Sequence, residues 1–172
     1  MPKYETALTR SETVAEGTMA FHFAKPAGFK FTAGQSMNVS LIDPPESDAK
    51  GNSRTFSIVS APHENELVIA TRMRDTAFKR VLKGMPPGGR VGLRGPAGMF
   101  TLDPADARPA AYLAGGIGIT PFVSMLRSKG YDWVLSIEHE DSYMSVPEGF
   151  SKAVSYLRGV LIREPPGKAW WF

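Results

Sequence analysis

The 172-residue chain has no cysteine. Disulfides, thiolate metal sites and a catalytic thiol are therefore excluded. That suits a cytoplasmic protein, the location expected here. A surplus of either charge is also lacking: 20 Lys and Arg stand against 17 Asp and Glu, for a net charge of +3. The basic residues are spread along the sequence, so no nucleic-acid partner is expected, only mild attraction for phosphate-bearing ligands. Met1-Pro2-Lys3-Tyr4-Glu5 contains no apolar segment of the kind a secretory signal carries. One long uncharged run exists, Pro109 to Leu126. It holds Gly115, Gly116, Gly118 and Pro121, and its residues pass from β-type to helical midway. A buried strand–turn–helix is expected there, and no membrane span. With 42% hydrophobic and 22% charged residues, the chain can build a packed core.

The pattern up to residue 105 is one of short strands with Gly and Pro turns. Met19, Phe21 and Phe23 alternate with Ala20, His22 and Ala24, which predicts a half-buried strand. Ser36 to Leu41, Arg54 to Ser60, Leu67 to Met73 and Arg90 to Leu93 read as further strands, and Pro44-Pro45 through Gly51-Asn52 as a polar loop. Many short antiparallel strands suggest a barrel. One helix interrupts them: Thr76 can cap it, Phe78, Val81 and Leu82 give it an apolar face, and Gly84 ends it.

From Ala110 the pattern becomes β–α–β–α, as in a parallel sheet. Ala110 to Ala114 reads as a strand and the glycine turn follows. Thr120 is a natural N-cap and Pro121 a natural first helical residue, for a helix that runs to about Lys129 and stops at Gly130. Trp133 to Glu138 reads as the next strand. Ser145-Val146-Pro147-Glu148 is a capping-box pattern opening a second helix, whose apolar residues keep helical spacing as far as Pro165-Pro166.

Arg54-Thr55-Phe56-Ser57 places a cation, a flat apolar ring and a hydroxyl within one strand. A flavin dinucleotide needs these types: a cation and helix-end amides for its pyrophosphate, an apolar partner for its ring system, and donors near the reactive ring edge. Alternation puts Arg54 and Phe56 on one face and Thr55 and Ser57 on the other, so backbone groups and strand twist must complete the site. Asp75-Thr76-Ala77-Phe78 offers a helix N-terminus for phosphates. The bland alternative is a core strand in which Phe56 is packing and Arg54 a surface charge.

Phe31-Thr32-Ala33-Gly34-Gln35, Arg54-Thr55-Phe56-Ser57, Asp75-Thr76-Ala77-Phe78-Lys79 and Gly95-Pro96-Ala97-Gly98-Met99-Phe100 are followed by Gly115-Gly116-Ile117-Gly118-Ile119-Thr120-Pro121. In this order the motifs resemble the ferredoxin–NADP reductase family of flavoproteins, over residues 3 to 126. The resemblance implies an antiparallel barrel of six strands binding FAD, with Arg54 on the pyrophosphate and Ser57, the catalytic candidate, near the reactive flavin nitrogen. It also implies cofactor-binding roles for Thr55 and Phe56, for Ala70 and Arg72 on the Leu67 to Met73 strand, and for Thr76, Ala77 and Phe78. Phe56 stands where that family usually has tyrosine. It keeps the ring and loses the hydroxyl, which would weaken a hydrogen bond or shift the redox potential. FAD rather than FMN rests on the phosphate-binding helix and on the resemblance.

Gly115, Gly116 and Gly118 let the chain turn sharply and let backbone amides approach a phosphate. Pro121 occupies the place of the last glycine of the dinucleotide fingerprint. The turn resembles the one opening the reductases' NAD(P) domain, in which Thr120-Pro121 would lie near the nicotinamide. A tight strand–helix turn that binds nothing is the alternative.

Gly130 to Asp141, with Met144-Ser145, Gly149, Lys152-Ala153, Glu164-Pro165 and Ala169-Trp170-Trp171, resembles the end of a sugar phosphate isomerase/epimerase, a family with the xylose isomerase-like TIM barrel. The chain therefore reads as chimeric, with a join near Leu126 to Gly130 that is natural, engineered or a gene-model artefact. Glu138 has three readings: the divalent-metal ligand of that family, an acid for ribose hydroxyls, or a solvated carboxylate at a strand end. His139 and Glu140 follow it, but alternation points neighbours apart, and no working metal site is expected.

Three segments are thus expected: a FAD-binding barrel over 1–105, the start of an NAD(P)-binding domain over 106–127, and an isomerase-like segment over 128–172 forming a truncated, hybrid nucleotide lobe. The leading function is an oxidoreductase passing hydride from NAD(P)H to FAD and electrons to a protein or small-molecule acceptor, impaired by the incomplete lobe. A flavin-binding module without turnover and a metal-dependent isomerase fragment are the alternatives. An exposed sheet edge and uncovered helix faces predict self-association.

Overall fold

A computed structural model describes residues 3–103, 105, 112–131, 145, 147–149, 151, 152, 154 and 155. Six strands form its main body: β1 (Lys3–Ala15), β2 (Thr18–Ala24), β3 (Ser36–Leu41), β4 (Ser53–Ser57), β5 (Glu66–Arg72) and β6 (Arg90–Ala97). A helix, α1 (Ala77–Gly84), separates β5 from β6, and a second, α2 (Thr120–Ser128), follows a 3-10 turn at Gly116–Ile119. The sheet order is β4-β3-β6-β1-β2-β5, with antiparallel neighbours throughout. Just past β4 the chain reaches the far end of the sheet, where the Val59 amide donates to Val68 of β5 at 2.8 Å. This bond brings the two ends of the sheet together, as the expected barrel requires.

The barrel is filled by large apolar side chains from every side. Phe21, Phe23, Phe29, Met37, Val39, Ile58, Leu67, Ile69, Phe78, Leu82, Val91 and Leu93 form one cluster of buried residues. Thr76 caps α1 as expected, with extended backbone angles (φ −134°, ψ 147°) and its hydroxyl accepting from the Lys79 amide. Phe78 and Leu82 are the helix's buried face.

Several boundaries differ from the sequence pattern. β1 has no counterpart in it. The strand is long, charged on its open face, and bulged between Leu8 and Arg10 and between Thr13 and Ala15. Its first half pairs with β6 and its second with β2, so no single alternation runs along it. β4 ends at Ser57 rather than Ser60, because the Ile58 amide turns back to the Gln35 carbonyl and Val59 joins β5. β6 runs on through Gly95-Pro96, a cis bond, to Ala97, since it is a central strand with β1 on one side and β3 on the other. Residues 112–114 lie in no strand. The rest of the expected 110–114 strand, and the 133–138 strand with Glu138, His139 and Glu140, lie outside the described residues.

β2 is buried on both faces, not half-buried. Its outward Ala20 lies with Val14, Val59, Val68 and Ala70 in a second cluster, closed by Val123 of α2. The Ser124 hydroxyl, wholly buried, donates to the Ser60 carbonyl at 2.7 Å, and Arg127 pairs with Glu64 at 2.6 Å. α2 is thus packed against the outside of β1, β2 and β5.

Further along β2, His22 is sealed by polar neighbours. It is 2% exposed, with Glu12 2.9 Å from Nε2, and Arg10 (3.0 Å) and Glu66 (3.2 Å) at Nδ1. Burial, then the Arg10 charge, hold its pKa below the ordinary histidine value, against the pull of Glu12 and Glu66. Neutral His22 therefore stabilises the fold fully above the unfolded value of about 6.5, and that contribution is lost as pH falls below it. The urea midpoint is expected to drop between about pH 7 and 5.5, above the carboxylate range, and His22→Gln to flatten the slope. An unchanged slope in the variant would show that other groups set it.

α2 ends as expected. Gly130 takes φ +61° and the Lys129, Gly130 and Tyr131 amides turn back onto the last turn. Its start differs: Thr120 is already helical (φ −52°, ψ −45°), and its hydroxyl bonds back to the Ile117 carbonyl at 3.1 Å. The N-cap is Ile119, because the 3-10 turn feeds straight into the helix and leaves Thr120 no extended backbone from which to cap. Ser145 does cap the last described helical segment, accepting from the Glu148 amide at 3.4 Å. No helix among the described residues is long and apolar enough to cross a membrane.

Candidate functional site

Arg54 and Phe56 point to the same side of β4 and meet Phe78 of α1 there. The Arg54 guanidinium carbon lies 5.2 Å from the Phe78 ring centre, and the Phe56 and Phe78 rings are 5.9 Å apart, tilted by 33°. Phe78 is 1% exposed and Phe56 half-buried, so Phe78 is a floor and Phe56 the ring with a free side. The first turn of α1 begins beside them: the Thr76 amide donates to the Arg74 carbonyl at 2.9 Å and the Thr76 hydroxyl accepts from Lys79, so the Ala77 and Phe78 amides are the first-turn donors that the helix itself does not use.

Cations gather at this end of α1. The Lys79 ammonium donates to the Arg72 carbonyl. Burial, then the charges of Arg74 and Arg54, push its pKa down. An ammonium discouraged by two guanidinium neighbours marks a local positive field suited to an anion. Arg54 itself is heavily engaged. Its Nη2 faces both Asp48 oxygens, at 2.9 and 3.2 Å, and its Nη1 donates to the carbonyls of Lys50, Gly51 and Ser53.

Ser57 sits at the end of β4, in register with Ser36 of β3, which is in register with Ala97 of β6. The segment after β6 rises from the same end. There Phe100 contacts Phe122 of α2 edge-on at 5.3 Å, and Tyr112 lies 4.9 Å from Phe122. Met99 and Leu113 beside them are almost wholly exposed. Thr55 takes the opposite face of β4, exposed, where its hydroxyl accepts from Asn38 at 3.4 Å.

The glycine turn is brought to β5 by the docking of α2. A Cβ on Gly116 would sit 3.7 Å from an Arg72 guanidinium nitrogen, and Gly116 needs its glycine, with φ +51°. Gly115 and Gly118 are exposed with open space beside them, and the Gly118 amide is spent on the Gly115 carbonyl.

Of the residues the sequence singled out, Arg54, Phe56, Phe78, Thr76 and Ala77 converge, and Arg72 links the α1 region to Gly116. Thr55, Ala70 and Thr120 are not brought to this cluster. Ala70 is buried beneath α2, and Thr120 is 6% exposed with its hydroxyl used internally. Asp48, Arg74 and Phe122 were not foreseen. Asp48 lies in a loop without periodicity, and nothing local signals that it pairs with Arg54. Among the described residues no His, Asp and Glu side chains gather to hold a metal ion.

No family model matches the chain. It is 29% identical over 163 residues to ferredoxin–NADP reductase B of Sorangium cellulosum, an alignment covering 88% of this chain and 65% of that protein. Its fold is similar to the flavohem-like FAD/NAD-binding domain of nitric oxide dioxygenase from Vibrio cholerae (TM-score 0.63, 21% identity, 72% of this chain and 55% of that one). It is also similar to phthalate dioxygenase reductase, described as a modular structure for electron transfer from pyridine nucleotides to a 2Fe-2S centre (TM-score 0.55, 26% identity, 73% and 39%). The chain thus spans less than two thirds of the length of each. The barrel is thus similar in sequence and fold to the barrel of ferredoxin–NADP reductase-like flavoproteins.

Proposed function

We propose that the chain is the flavin-binding part of a ferredoxin–NADP reductase-type oxidoreductase, with FAD as cofactor, NAD(P)H as donor, and a protein or small molecule as acceptor. The observation that carries this reading is the joint between Arg54, Phe56 and α1. A half-buried ring, a cation and first-turn amides there match a flat ring system carrying a pyrophosphate. When bound, the flavin supplies the redox chemistry, taking hydride from the nicotinamide and passing electrons on. The protein's part is to hold and tune it. Arg54, Arg74 and Lys79 balance the phosphates, the Phe56 ring lies along an apolar edge, and the Ser57 hydroxyl offers a hydrogen bond at the end of β4. The Gly115–Gly118 turn, fixed by α2, would receive the nicotinamide nucleotide. The lack of cysteine suits a cytoplasmic setting.

The alignment with the Sorangium reductase covers more of the chain than lies before residue 130, so it runs past the expected join. That favours one reductase polypeptide over a hybrid with an isomerase-like tail. A flavin-binding module without turnover is the second reading, favoured by the chain's covering only 65% of the length of the Sorangium reductase.

The test is the visible spectrum of the purified chain supplied with FAD, followed by NADH or NADPH without oxygen. A flavin spectrum that bleaches is the expected result. A bound flavin that persists with both nucleotides would leave only the binding module. Failure to retain FAD would remove both.

A further inference from the structure

We propose that Asp48 is an internal competitor for the phosphate-binding cation Arg54: it holds the guanidinium on the 42–52 loop and is exchanged for the ligand's phosphates on binding. The proposal rests on the reading of Arg54 as the residue that meets the flavin's pyrophosphate.

The geometry at Arg54 is that of a cation already bound to an anion. Nη2 faces both carboxylate oxygens of Asp48, and Nη1 is shared among three carbonyls of residues 50, 51 and 53. The four N–H groups on the two Nη atoms are therefore taken up within the same short segment. A phosphate cannot reach that end of the guanidinium without displacing one of these acceptors. The carbonyls are neutral and fixed by the backbone. The carboxylate is a charged side chain that can rotate away, and a phosphate oxygen replaces it in kind. The Lys50 amide, at 2.9 Å, and Arg54 together keep the Asp48 carboxyl low despite partial burial, so it is ionised and competes as an anion at neutral pH.

The loop is built to let go. From Ile42 to Asn52 no residue is buried, and Ile42 is 44% exposed. No apolar side chain anchors the loop. It is tied to the rest of the molecule by ion pairs, Asp48 with Arg54 and Glu46 with Arg80 at 2.5 Å, by the Lys50 and Gly51 carbonyls on Arg54, and at its end by the Asn52 carbonyl and side chain on Leu41. Arg54 borders α1 and Arg80 belongs to it, so both ties end at the helix whose first turn is read as the phosphate site. Segments held by few, polar and accessible contacts open at low cost. Exchange would thus free the loop as the ligand enters and close it again as the ligand leaves.

The experiment is titration of the full chain with FAD, read by quenching of flavin fluorescence, and with inorganic pyrophosphate, read by calorimetry. Asp48→Asn and Asp48→Ala are expected to tighten both ligands roughly threefold to fivefold, the upper end of the scale of a partly exposed ion pair. Asp43→Asn removes a charge from the same loop without touching Arg54. Its backbone angle, φ +43°, is one asparagine accepts. It should leave both affinities within about twofold, which separates pairing with Arg54 from a general change in field. Unchanged or weaker FAD binding in both Asp48 variants would overturn the proposal, and so would equal tightening by Asp43→Asn. If no form binds FAD yet pyrophosphate tightens in the Asp48 variants, the competitor stands and the flavin reading falls. If no form binds either ligand, both fall.

Discussion

Gly34→Ala is expected to cost about 3 kcal/mol or more of folding stability, from overpacking added to backbone strain. Gly34 has φ +97°, and a Cβ there would lie 2.0 Å from the Phe100 carbonyl oxygen and 2.3 Å from the Met125 methyl. The methionine can yield, whereas the carbonyl belongs to backbone. The three segments that meet at this point are the turn before β3, the chain after β6, and α2. Forcing them apart loosens the seat of α2 on the barrel, and with it the position of the Gly115–Gly118 turn. Gly28→Ala is the control: φ is +80° and no atom lies near the new Cβ, so the loss there should be about 1–2 kcal/mol. Urea unfolding of the two variants decides the matter. Equal losses would mean that the close approach of Gly34 to Phe100 does not constrain the fold.

Phe78→Ala is expected to remove about 3–5 kcal/mol, the range for deleting a fully buried aromatic ring. The ring is 1% exposed and lies in the main cluster with Phe21, Phe23, Ile58 and Leu82. The same substitution removes the surface on which Arg54 rests and the neighbour of Phe56. Phe78→Leu keeps most of the apolar volume but not the flat face. Its stability loss should therefore be small while its affinity for FAD still falls. If the leucine variant bound FAD as well as the unaltered chain, Phe78 would be core packing and no part of the site. Denaturation and flavin titration on the same samples separate the two effects.

Much of this arrangement is legible along the chain because it depends on neighbours in sequence. The Thr76 cap, the apolar face of α1, the Gly130 stop and the alternation of β3 arise within a few residues, where local geometry decides. The order of the four barrel motifs indicates the fold for the same reason, since each is a short segment with a fixed backbone task. β1 escapes because its two halves answer to different partner strands. Its polar face also hides it from a search for alternating apolar residues. Thr120 invites reading as a cap because Thr-Pro so often opens a helix. The 3-10 turn before it is set by how Ile117 and Ile119 pack on the second cluster, which no local signal carries.

The sequence alone determined that this is a cysteine-free chain with a short-strand barrel, a capped helix beside it and a glycine turn beyond. It also supplied Arg54, Phe56 and Phe78 as candidates for one flavin-type site. The tertiary structure decided what those residues do to one another. It set Arg54 between the Phe78 ring and Asp48, buried Ala70 and Thr120 away from the cluster and packed α2 against the outside of β2 and β5. The physical reason is the range of the interactions. Hydrogen-bonded turns and caps are settled over three or four residues. The pairing of a guanidinium with a carboxylate, or of Gly34 with Phe100, depends on where distant segments meet once the apolar side chains have been buried.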